Sequence, residues 1–240
     1  RRVQTIQQVG GIMNGTCNYI LDNMTRLGLG YDQALQQAQK LGYAEANPAT
    51  DVDGIDTWHK LILSSNIAFG VSLDKNTVPA AGIRNISAAD VECFRAKGKV
   101  CKLIATGRRT EQGVSAYVQP TLVDAASPEG AVPLNYNLIT FLGEISQRMS
   151  FYGQGAGRYP TAYNVVQDLT DVLAGKGFYA PYGKPQAADN QQPLRYYIRG
   201  DWDGPVEETW GPGILTAPTP VTQIHTWLQS HPTAFLAAVE

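Results

Sequence analysis

Apolar side chains alternate with polar ones at the start of the chain and then recur at helical spacing. Residues 3–9 read VQTIQQV, an alternation that is typical of a strand with one buried face. Glycines then interrupt the strand, and over 18–27 apolar residues return every three or four positions. The pattern therefore predicts a strand, a glycine turn and a helix, in that order.

Two further helices are predicted before residue 70. The first spans 32–41, with Asp32 as its N-cap and Gly42 as its C-cap. The second spans 54–69, and either Asp51 or Asp53 can cap its first turn. Because apolar residues recur at helical spacing throughout 54–69, we expect this helix to be substantially buried.

The middle of the chain contains several short runs that are typical of strands, bounded by turn residues. The predicted elements are a short helix over 88–97, strands over 100–106, 115–121 and 137–141, and a helix over 160–173 that follows the glycines of 153–157. Together with the first helices, they predict an α+β fold. We expect a mixed, largely antiparallel sheet with helices on one face.

The composition changes after residue 175. Seven of the 14 prolines lie between residues 181 and 220, which excludes one continuous helix or central strand there. A strand over 196–199, a helix over 221–228 and a strand or helical turn over 234–239 are predicted. We therefore expect a main domain over 1–175 and a small β-rich module over 176–240.

Composition and charge exclude several classes of protein. Of the 240 residues, 43% are hydrophobic and 17% are charged, which suits a protein with a core and not a disordered one. The net charge of −2 gives no reason to expect a nucleic-acid partner, and no apolar run approaches the roughly 18 residues of a membrane span. The three cysteines lack the spacing of a zinc site or a disulfide framework. We expect a cytoplasmic protein with no metal site and no membrane partner.

The segment 42–60, GYAEANPATDVDGIDTWHK, concentrates the candidate chemistry. Asp56 and Lys60 are four residues apart on a predicted helix, where an ion pair is sterically natural. One interpretation is a surface ion pair beside capping aspartates. The other is an acid/base site, because Lys60 directly precedes the apolar residues 61–63 and a partly buried lysine beside carboxylates has a tuned pKa.

The same segment closely resembles the signature of the homoserine dehydrogenases, in which glycine-tyrosine-x-glutamate, a proline and an aspartate-rich turn precede glycine-x-aspartate and a lysine. Two more segments are similar to family motifs in the same order, 11–21 (GIMNGTCNYIL) and 153–162 (GQGAGRYPTA). The resemblance covers residues 3–174. It implies NAD(P)-dependent interconversion of L-homoserine and L-aspartate 4-semialdehyde, a reaction of threonine, methionine and isoleucine biosynthesis.

The resemblance implies a role for each matching residue. Lys60 matches the proton-transferring lysine, Asp56 the aspartate that orients it, and Glu45 the glutamate that binds the substrate ammonium group. These residue types suit the reaction, since negative charge grows on the aldehyde oxygen during reduction and an amino acid offers a cation to a carboxylate. Other matching residues line the substrate side, Tyr43, Asp51, Gly15 and Thr16, and the cofactor side, Gly155, Gly157 and Asn14.

The glycines of 153–157 also resemble a dinucleotide fingerprint, but the third glycine comes one position early and no acidic residue follows about twenty positions later. A tight turn between strand and helix is therefore an alternative to a cofactor wall. Under the resemblance, Gly157 lets the nicotinamide nucleotide approach backbone N–H groups at a helix start. For Asn14 and Thr16, a helix cap is the alternative.

The resemblance also implies a nucleotide-binding domain that precedes this part of the family's polypeptide. We therefore expect this chain to be the catalytic and dimerisation half, active only together with that domain, with any monovalent-cation site outside the chain. The choice between NAD and NADP lies in the same domain. The strand at 196 is similar to the start of regulatory ACT modules, but 203–206 departs from that pattern, so the module over 176–240 is at most a divergent ACT-like remnant.

Two other functions stay open at this point. The chain can be a non-catalytic dimerisation or regulatory fragment of the same family. Alternatively, it can belong to another enzyme class, in which the turn at Gly153 binds a phosphorylated ligand that Lys60 neutralises. In the favoured interpretation the partners are an amino-acid substrate, NAD(P) and a second copy of the chain, paired through the sheet.

Overall fold

The structure is a computed structural model that describes residues 4–177 and 185–240. Among these residues, no helix combines the length and hydrophobicity that crossing a membrane requires. In chain order the elements are β1 (Ile6–Ile12), α1 (Gly15–Leu27), α2 (Tyr31–Lys40), α3 (Ala49–Val52), α4 (Ile55–Phe69), a 3-10 turn (Lys75–Thr77), α5 (Ala88–Ala96), β2 (Lys99–Thr110), β3 (Gly113–Asp124), β4 (Tyr136–Gly143), β5 (Gln147–Gln154), α6 (Arg158–Leu173), β6 (Pro193–Arg199), β7 (Val206–Trp210), β8 (Gly213–Thr216), β9 (Thr219–Pro220), α7 (Val221–Gln229) and β10 (Phe235–Val239).

The strands form one sheet in the order β5-β4-β1-β2-β3-β10-β6-β8-β7, with β9 paired to β6 beside this path. Within the described strands, β10 runs parallel to β3 and the other pairs are antiparallel. The longest pairing joins β2 to β3, from Lys99 opposite Asp124 to Thr110 opposite Gly113. The predicted α+β class with a mixed, largely antiparallel sheet is confirmed.

The main core lies between one face of the sheet and α1, α4 and α5. Ile20, Leu61 and Phe94, one from each helix, are fully buried there against strand residues. Successive residues of β6 point to opposite faces, as a strand requires. Tyr197 therefore packs edge-on to Phe94, with ring centroids 4.8 Å apart, whereas Tyr196 packs with Ile224 of α7 on the other face. Thus α7 covers the C-terminal strands from the side opposite α1, α4 and α5.

The ends of α2 differ from the prediction by one or two residues. Gly30 is the N-cap, and Asp32 lies within the first turn. The helix ends with Leu41 as its C-cap, and Gly42 adopts a positive φ of 76° one residue later. The predicted cap of Asp32 is wrong because the backbone turns into the helix two residues earlier.

The start of α4 and its burial also differ from the prediction. Gly54, with φ 82°, is the N-cap, so neither Asp51 nor Asp53 caps this helix, and both instead belong to the short α3 and its end. Ile55 and Ile67 are 41% and 47% exposed. The prediction of a substantially buried helix is therefore wrong for these residues. The buried face of α4 is narrow and consists of Thr57, Leu61, Ser65 and Phe69.

The C-terminal strands extend the sheet of the preceding residues. The link is the parallel pairing of β10 with β3, in which Val239 lies opposite Leu122. The predicted strand around 196–199 and the helix over 221–228 are confirmed as β6 and α7, and 234–239 contains the strand β10. The division of the chain at residue 175 stays a prediction.

Candidate active site

One cleft contains all ten residues that the resemblance implies. Its volume is about 770 Å³, and it lies where the β1–α1 turn, the segment from α2 to α4 and the β5–α6 turn meet. The ten residues are Asn14, Gly15, Thr16, Tyr43, Glu45, Asp51, Asp56, Lys60, Gly155 and Gly157. A larger depression of about 980 Å³ lies against the sheet and contains none of them. The candidate chemistry is therefore gathered at the ends of helices and not on the sheet.

Asn14 caps α1 and joins it to the acidic segment. Its side-chain Oδ1 accepts a hydrogen bond from the Cys17 backbone N–H at 2.8 Å, which explains why α1 begins three residues earlier than predicted. Its Nδ2 donates to Asp51 Oδ1 at 2.7 Å and to Asp56 Oδ2 at 2.9 Å. Asn14, and not Thr16, is therefore the N-cap of α1, and the same amide also links the helix to two carboxylates. The place of Asn14 on the cofactor side stays a prediction.

Lys60 projects from the second turn of α4 and is held at two points. Its Nζ donates to Asp56 Oδ2 at 2.7 Å and to the Met13 backbone carbonyl at 3.0 Å. An ammonium group has three N–H donors, so one remains for a ligand in the cleft. The Lys60 side chain is 45% exposed, which is more than its apolar neighbours in the sequence predict. The predicted ion pair between Asp56 and Lys60 is confirmed.

Asp56 is the centre of this network. One of its oxygens, Oδ2, accepts hydrogen bonds from both Lys60 and Asn14. These donors come from different elements, α4 and the β1–α1 turn, so the geometry is more than an ion pair on a solvated helix face. Since the carboxylate is fixed from two sides, it restrains where the Lys60 ammonium lies.

Cys17 of α1 contacts the backbone of the acidic segment at Asp51. Its Sγ donates to the Asp51 backbone carbonyl at 3.1 Å, and the thiol is fully buried. Burial, reinforced by the negative charge of Asp51, raises the pKa of the Cys17 thiol well above its usual value. The buried thiol thus serves as a hydrogen-bond donor that holds the backbone of the acidic segment.

The substrate-side residues Thr16, Tyr43 and Glu45 form the opposite edge of the cleft. Thr16 Oγ1 donates to the Tyr43 backbone carbonyl at 2.6 Å, and the Tyr43 ring packs against Tyr19 with centroids 5.0 Å apart. The backbone carbonyl of Glu45 accepts from Gln39 Nε2 at 3.1 Å. Among the described residues, the Glu45 carboxylate has no hydrogen-bond or ion-pair partner and projects into solvent at the cleft.

The cofactor-side residues Gly155 and Gly157 lie in the turn from β5 to α6. Gly157 has φ 128°, a region that glycine adopts readily and other residues rarely do, and it is the N-cap of α6 without a side-chain acceptor. A Cβ on Gly155 would lie 2.0 Å from Asn137 Nδ2. The space beside Gly155 is thus taken by the Asn137 amide, whereas Gly157 leaves the start of α6 without a side chain at the cleft.

Asn135 and Asn137 line the cleft but were not predicted. Asn135 lies just before β4 and its backbone carbonyl is 2.6 Å from the position that a Cβ on Gly15 would take, so Gly15 lets this loop pack against α1. Asn137 is the second residue of β4, and its Oδ1 is buried without a hydrogen-bond partner among the described residues. The available signal was an Asn-Tyr-Asn sequence at the start of a predicted strand.

Buried polar groups hold the loop before β4 in place. Lys102, which is 2% exposed, donates to Asn18 Oδ1 at 2.9 Å and to the Val132 backbone carbonyl at 2.7 Å. Asp22 accepts from the Leu134 backbone N–H at 2.9 Å. Burial lowers the pKa of Lys102 to about 8, although the nearby Asp22 carboxylate acts in the other direction. This network fixes the loop that carries Asn135 into the cleft.

A comparison with known families identifies the chain. The family model described as homoserine dehydrogenase matches residues 1–170, a range that includes every one of the ten predicted residues. The chain belongs to the homoserine dehydrogenase family. This membership confirms the resemblance and favours an oxidoreductase over the enzyme class in which the glycine turn binds a phosphorylated ligand.

Individual family members match in sequence and in fold. Homoserine dehydrogenase of Corynebacterium glutamicum is 40% identical over 208 residues, which are 82% of this chain and 47% of that protein. The crystal structure of a homoserine dehydrogenase from Thiobacillus denitrificans superposes with a TM-score of 0.79 at 28% identity, covering 100% of this chain and 65% of that one. A hyperthermophilic archaeal homoserine dehydrogenase in complex with NADPH shares the fold, with a TM-score of 0.60 at 21% identity over 76% of this chain and 51% of that one.

The chain therefore spans about half the length of the curated relatives it matches. The family model ends at residue 170, before β6, whereas the match to the Thiobacillus denitrificans structure covers the whole chain. The C-terminal strands thus have counterparts in a solved member of the family.

Proposed function

We propose that the whole protein carrying this chain is an NAD(P)-dependent homoserine dehydrogenase and that this chain supplies its proton-transfer and substrate-binding groups. The observation that carries the proposal is the Asn14–Asp56–Lys60 network, which lies in the same cleft as Glu45 and the glycine turn. Family membership supports the reaction, the oxidation of L-homoserine to L-aspartate 4-semialdehyde, and its place in threonine and methionine biosynthesis.

Lys60 is the proposed proton-transfer group. In the reducing direction its ammonium gives a proton to the aldehyde oxygen as negative charge develops there, and in the oxidising direction its neutral amine accepts the hydroxyl proton. Asp56 positions the lysine through the 2.7 Å hydrogen bond to Nζ. Asn14 positions Asp56 in turn, because both hydrogens of its amide are donated to carboxylates.

Glu45 is the proposed anchor for the substrate ammonium group. Its carboxylate lines the cleft and has no partner among the described residues, so no protein cation competes for it. Tyr43, Asp51, Gly15 and Thr16 form the surrounding wall. A substrate held by its ammonium group at Glu45 would present its side chain toward Lys60, which converts proton transfer into a step between positioned groups.

The cleft also fits a nicotinamide nucleotide. Gly155 and Gly157 line the cleft at the start of α6, and Gly157 leaves open space where a side chain would otherwise lie. When bound, the nicotinamide ring would take up or supply the hydride. Gly155, Gly157 and the turn at Asn14 are the residues that we propose to lie against it. A monovalent-cation site, where the whole protein has one, is proposed to lie outside this chain.

A homodimer paired through the sheet is part of the proposal, as is a cytoplasmic location. Strand β5 is an edge of the sheet, and its Met149 and Phe151 are 49% and 60% exposed. Exposed apolar residues on an unpaired strand edge favour aggregation, and pairing with a second copy covers them.

We also keep the division of the chain into a domain over 1–175 and a module over 176–240 as a proposal.

The test is a spectrophotometric assay of the whole protein with L-homoserine and either NAD or NADP, in which formation of the reduced nucleotide is followed at its absorption maximum. Turnover that requires homoserine supports the proposal. A folded whole protein without such turnover would favour the non-catalytic dimerisation or regulatory role. Adding a separately produced nucleotide-binding domain of a relative to this chain would then test whether the chain retains catalytic groups.

A further inference from the structure

The turn before β4 contains a residue in an unfavourable backbone conformation. Leu134 has φ 48°, in the left-handed region that residues with a side chain rarely adopt. The turn runs from Pro133 to Tyr136 and is closed by a 3.2 Å hydrogen bond from the Tyr136 backbone N–H to the Pro133 carbonyl. The Leu134 side chain is 39% exposed, so its packing does not explain the conformation. The backbone must therefore be held there by other contacts.

Two side chains of α1 hold the Leu134 backbone from both sides. The Leu134 N–H donates to Asp22 Oδ2 at 2.9 Å, and the Leu134 carbonyl accepts from Asn18 Nδ2 at 2.8 Å. Asn18 and Asp22 are four residues apart on one face of α1, and both are buried. Lys102 fixes the Asn18 amide in turn, through the 2.9 Å hydrogen bond to its Oδ1. Buried hydrogen bonds from α1 thus impose the left-handed conformation at Leu134.

The turn places Asn135, the residue after Leu134, in the cleft. Asn135 lies beside Gly15, the first residue of α1, because its carbonyl oxygen is 2.6 Å from the position that a Cβ on Gly15 would take. Asn135 is partly exposed and lines the cleft, so a ligand there can reach it. A change of φ at Leu134 would rotate the chain that follows and move Asn135 away from Gly15.

Resting on the proposed function, we propose that Asn18 and Asp22 are positioning residues, which place Asn135 against the amino-acid substrate by holding Leu134 in the left-handed conformation. Neither Asn18 nor Asp22 lines the cleft itself, so both act through the turn. The side of the cleft follows from Gly15, which belongs to the proposed substrate wall. A relaxed turn would present a different wall to homoserine.

The experiment measures steady-state kinetics of the whole protein, with L-homoserine and the nicotinamide nucleotide varied in turn, and thermal unfolding of the same samples. Asp22→Ala removes the acceptor of the Leu134 N–H. We expect the homoserine KM to rise by about tenfold, as it does when about a tenth of the molecules keep the competent turn, and the nucleotide KM to stay within about twofold of the wild type. Arg26→Ala is the matched control, because it breaks the 3.2 Å ion pair with the same Asp22 oxygen and leaves the bond to Leu134. It should leave both KM values unchanged.

Substitutions of Leu134 separate positioning from a general loss of stability. Because glycine adopts a positive φ without strain, Leu134→Gly should restore most of the homoserine affinity when it is added to Asp22→Ala. Leu134→Val tests the same idea without changing a buried residue, since a β-branched side chain disfavours the left-handed region more strongly. It should raise the homoserine KM, whereas Leu134→Gly alone should not.

A folded Asp22→Ala protein with an unchanged homoserine KM would refute the proposal, and so would a double variant that binds homoserine no better than Asp22→Ala. An equal rise in Arg26→Ala would assign the effect to the ion pair, and a rise confined to the nucleotide KM would assign the turn to the cofactor; either result overturns the proposal. If Asp22→Ala fails to fold, equal homoserine KM values for Leu134→Val and Leu134→Gly would refute it. A wild-type protein without homoserine-dependent turnover would instead refute the proposed function itself.

Discussion

Replacement of Lys60 by methionine separates catalysis from stability at this site. The change keeps a long, helix-compatible side chain but removes the group that faces the cleft with a spare N–H. A positioned general acid contributes about 10²- to 10⁴-fold to a rate. We therefore expect kcat of the whole protein to fall by about 100-fold or more, equivalent to at least about 2.7 kcal/mol of transition-state stabilisation.

The expected cost in folding stability is small. The Lys60 and Asp56 side chains are 45% and 29% exposed, and an exposed pair of this spacing stabilises a helix by about 0.3–0.5 kcal/mol. Loss of the hydrogen bond to the Met13 carbonyl adds about 1 kcal/mol. For a chain of this size, 1 kcal/mol corresponds to a shift of roughly 2–4 °C in Tm. A large loss of turnover with a Tm shift of only a few degrees is the signature of a catalytic lysine.

Steady-state kinetics and thermal unfolding of the same samples check this expectation. Lys176→Met is the matched control, because it breaks an exposed pair with Asp171, also 2.7 Å long, that lies outside the cleft. It should leave turnover unchanged. Lys60→Arg should not restore activity, since a guanidinium does not release its proton at neutral pH. A Lys60→Met variant that keeps most of its turnover would remove this lysine from the mechanism.

Three further predictions follow from other parts of the structure. Glu45→Ala removes the proposed anchor of the substrate ammonium, and a charge-assisted bond of that kind contributes about 1.5–3 kcal/mol, so the homoserine KM should rise more than kcat falls. An unchanged KM would exclude the anchor role. Because burial lowers the pKa of Lys102 to about 8, this residue makes the free energy of unfolding rise between pH 8 and 9.5, whereas the buried thiols of Cys17 and Cys101, whose pKa values are raised, make it fall. In denaturant titrations, the free energy of unfolding should therefore change with a more positive pH slope in the wild type than in Lys102→Met, and equal slopes in both proteins would contradict the assignment. Sedimentation at micromolar concentration should give a dimer that Phe151→Lys, on the exposed edge strand, converts to a monomer, whereas a monomeric wild type would refute the dimer.

Local patterns were sufficient for most of the fold. Apolar alternation and helical spacing located strands and helices to within a few residues, because these periods follow directly from burial of one face. The helix ends were harder, since Gly30 and Gly54 act through backbone conformation and leave no side-chain signature. The order of the strands was out of reach, because the parallel pairing of β10 with β3 joins segments more than a hundred residues apart.

The site shows the same limit in a sharper form. Lys60 and Asp56 are four residues apart, so their pairing is a local consequence of the helix and could be predicted. Asn14 lies about forty residues upstream, and its sequence context indicates only a helix cap. In the structure, the Asn14 amide both caps α1 and binds two carboxylates. This double role depends on how the β1–α1 turn packs against α3 and α4, and no local sequence pattern predicts that packing. Leu134 is a stronger case, because its backbone N–H is held by Asp22, 112 residues upstream. Site residues that share one helix turn can therefore be predicted from the sequence. Residues whose hydrogen bonds depend on contacts between distant segments can be recognised only in the structure.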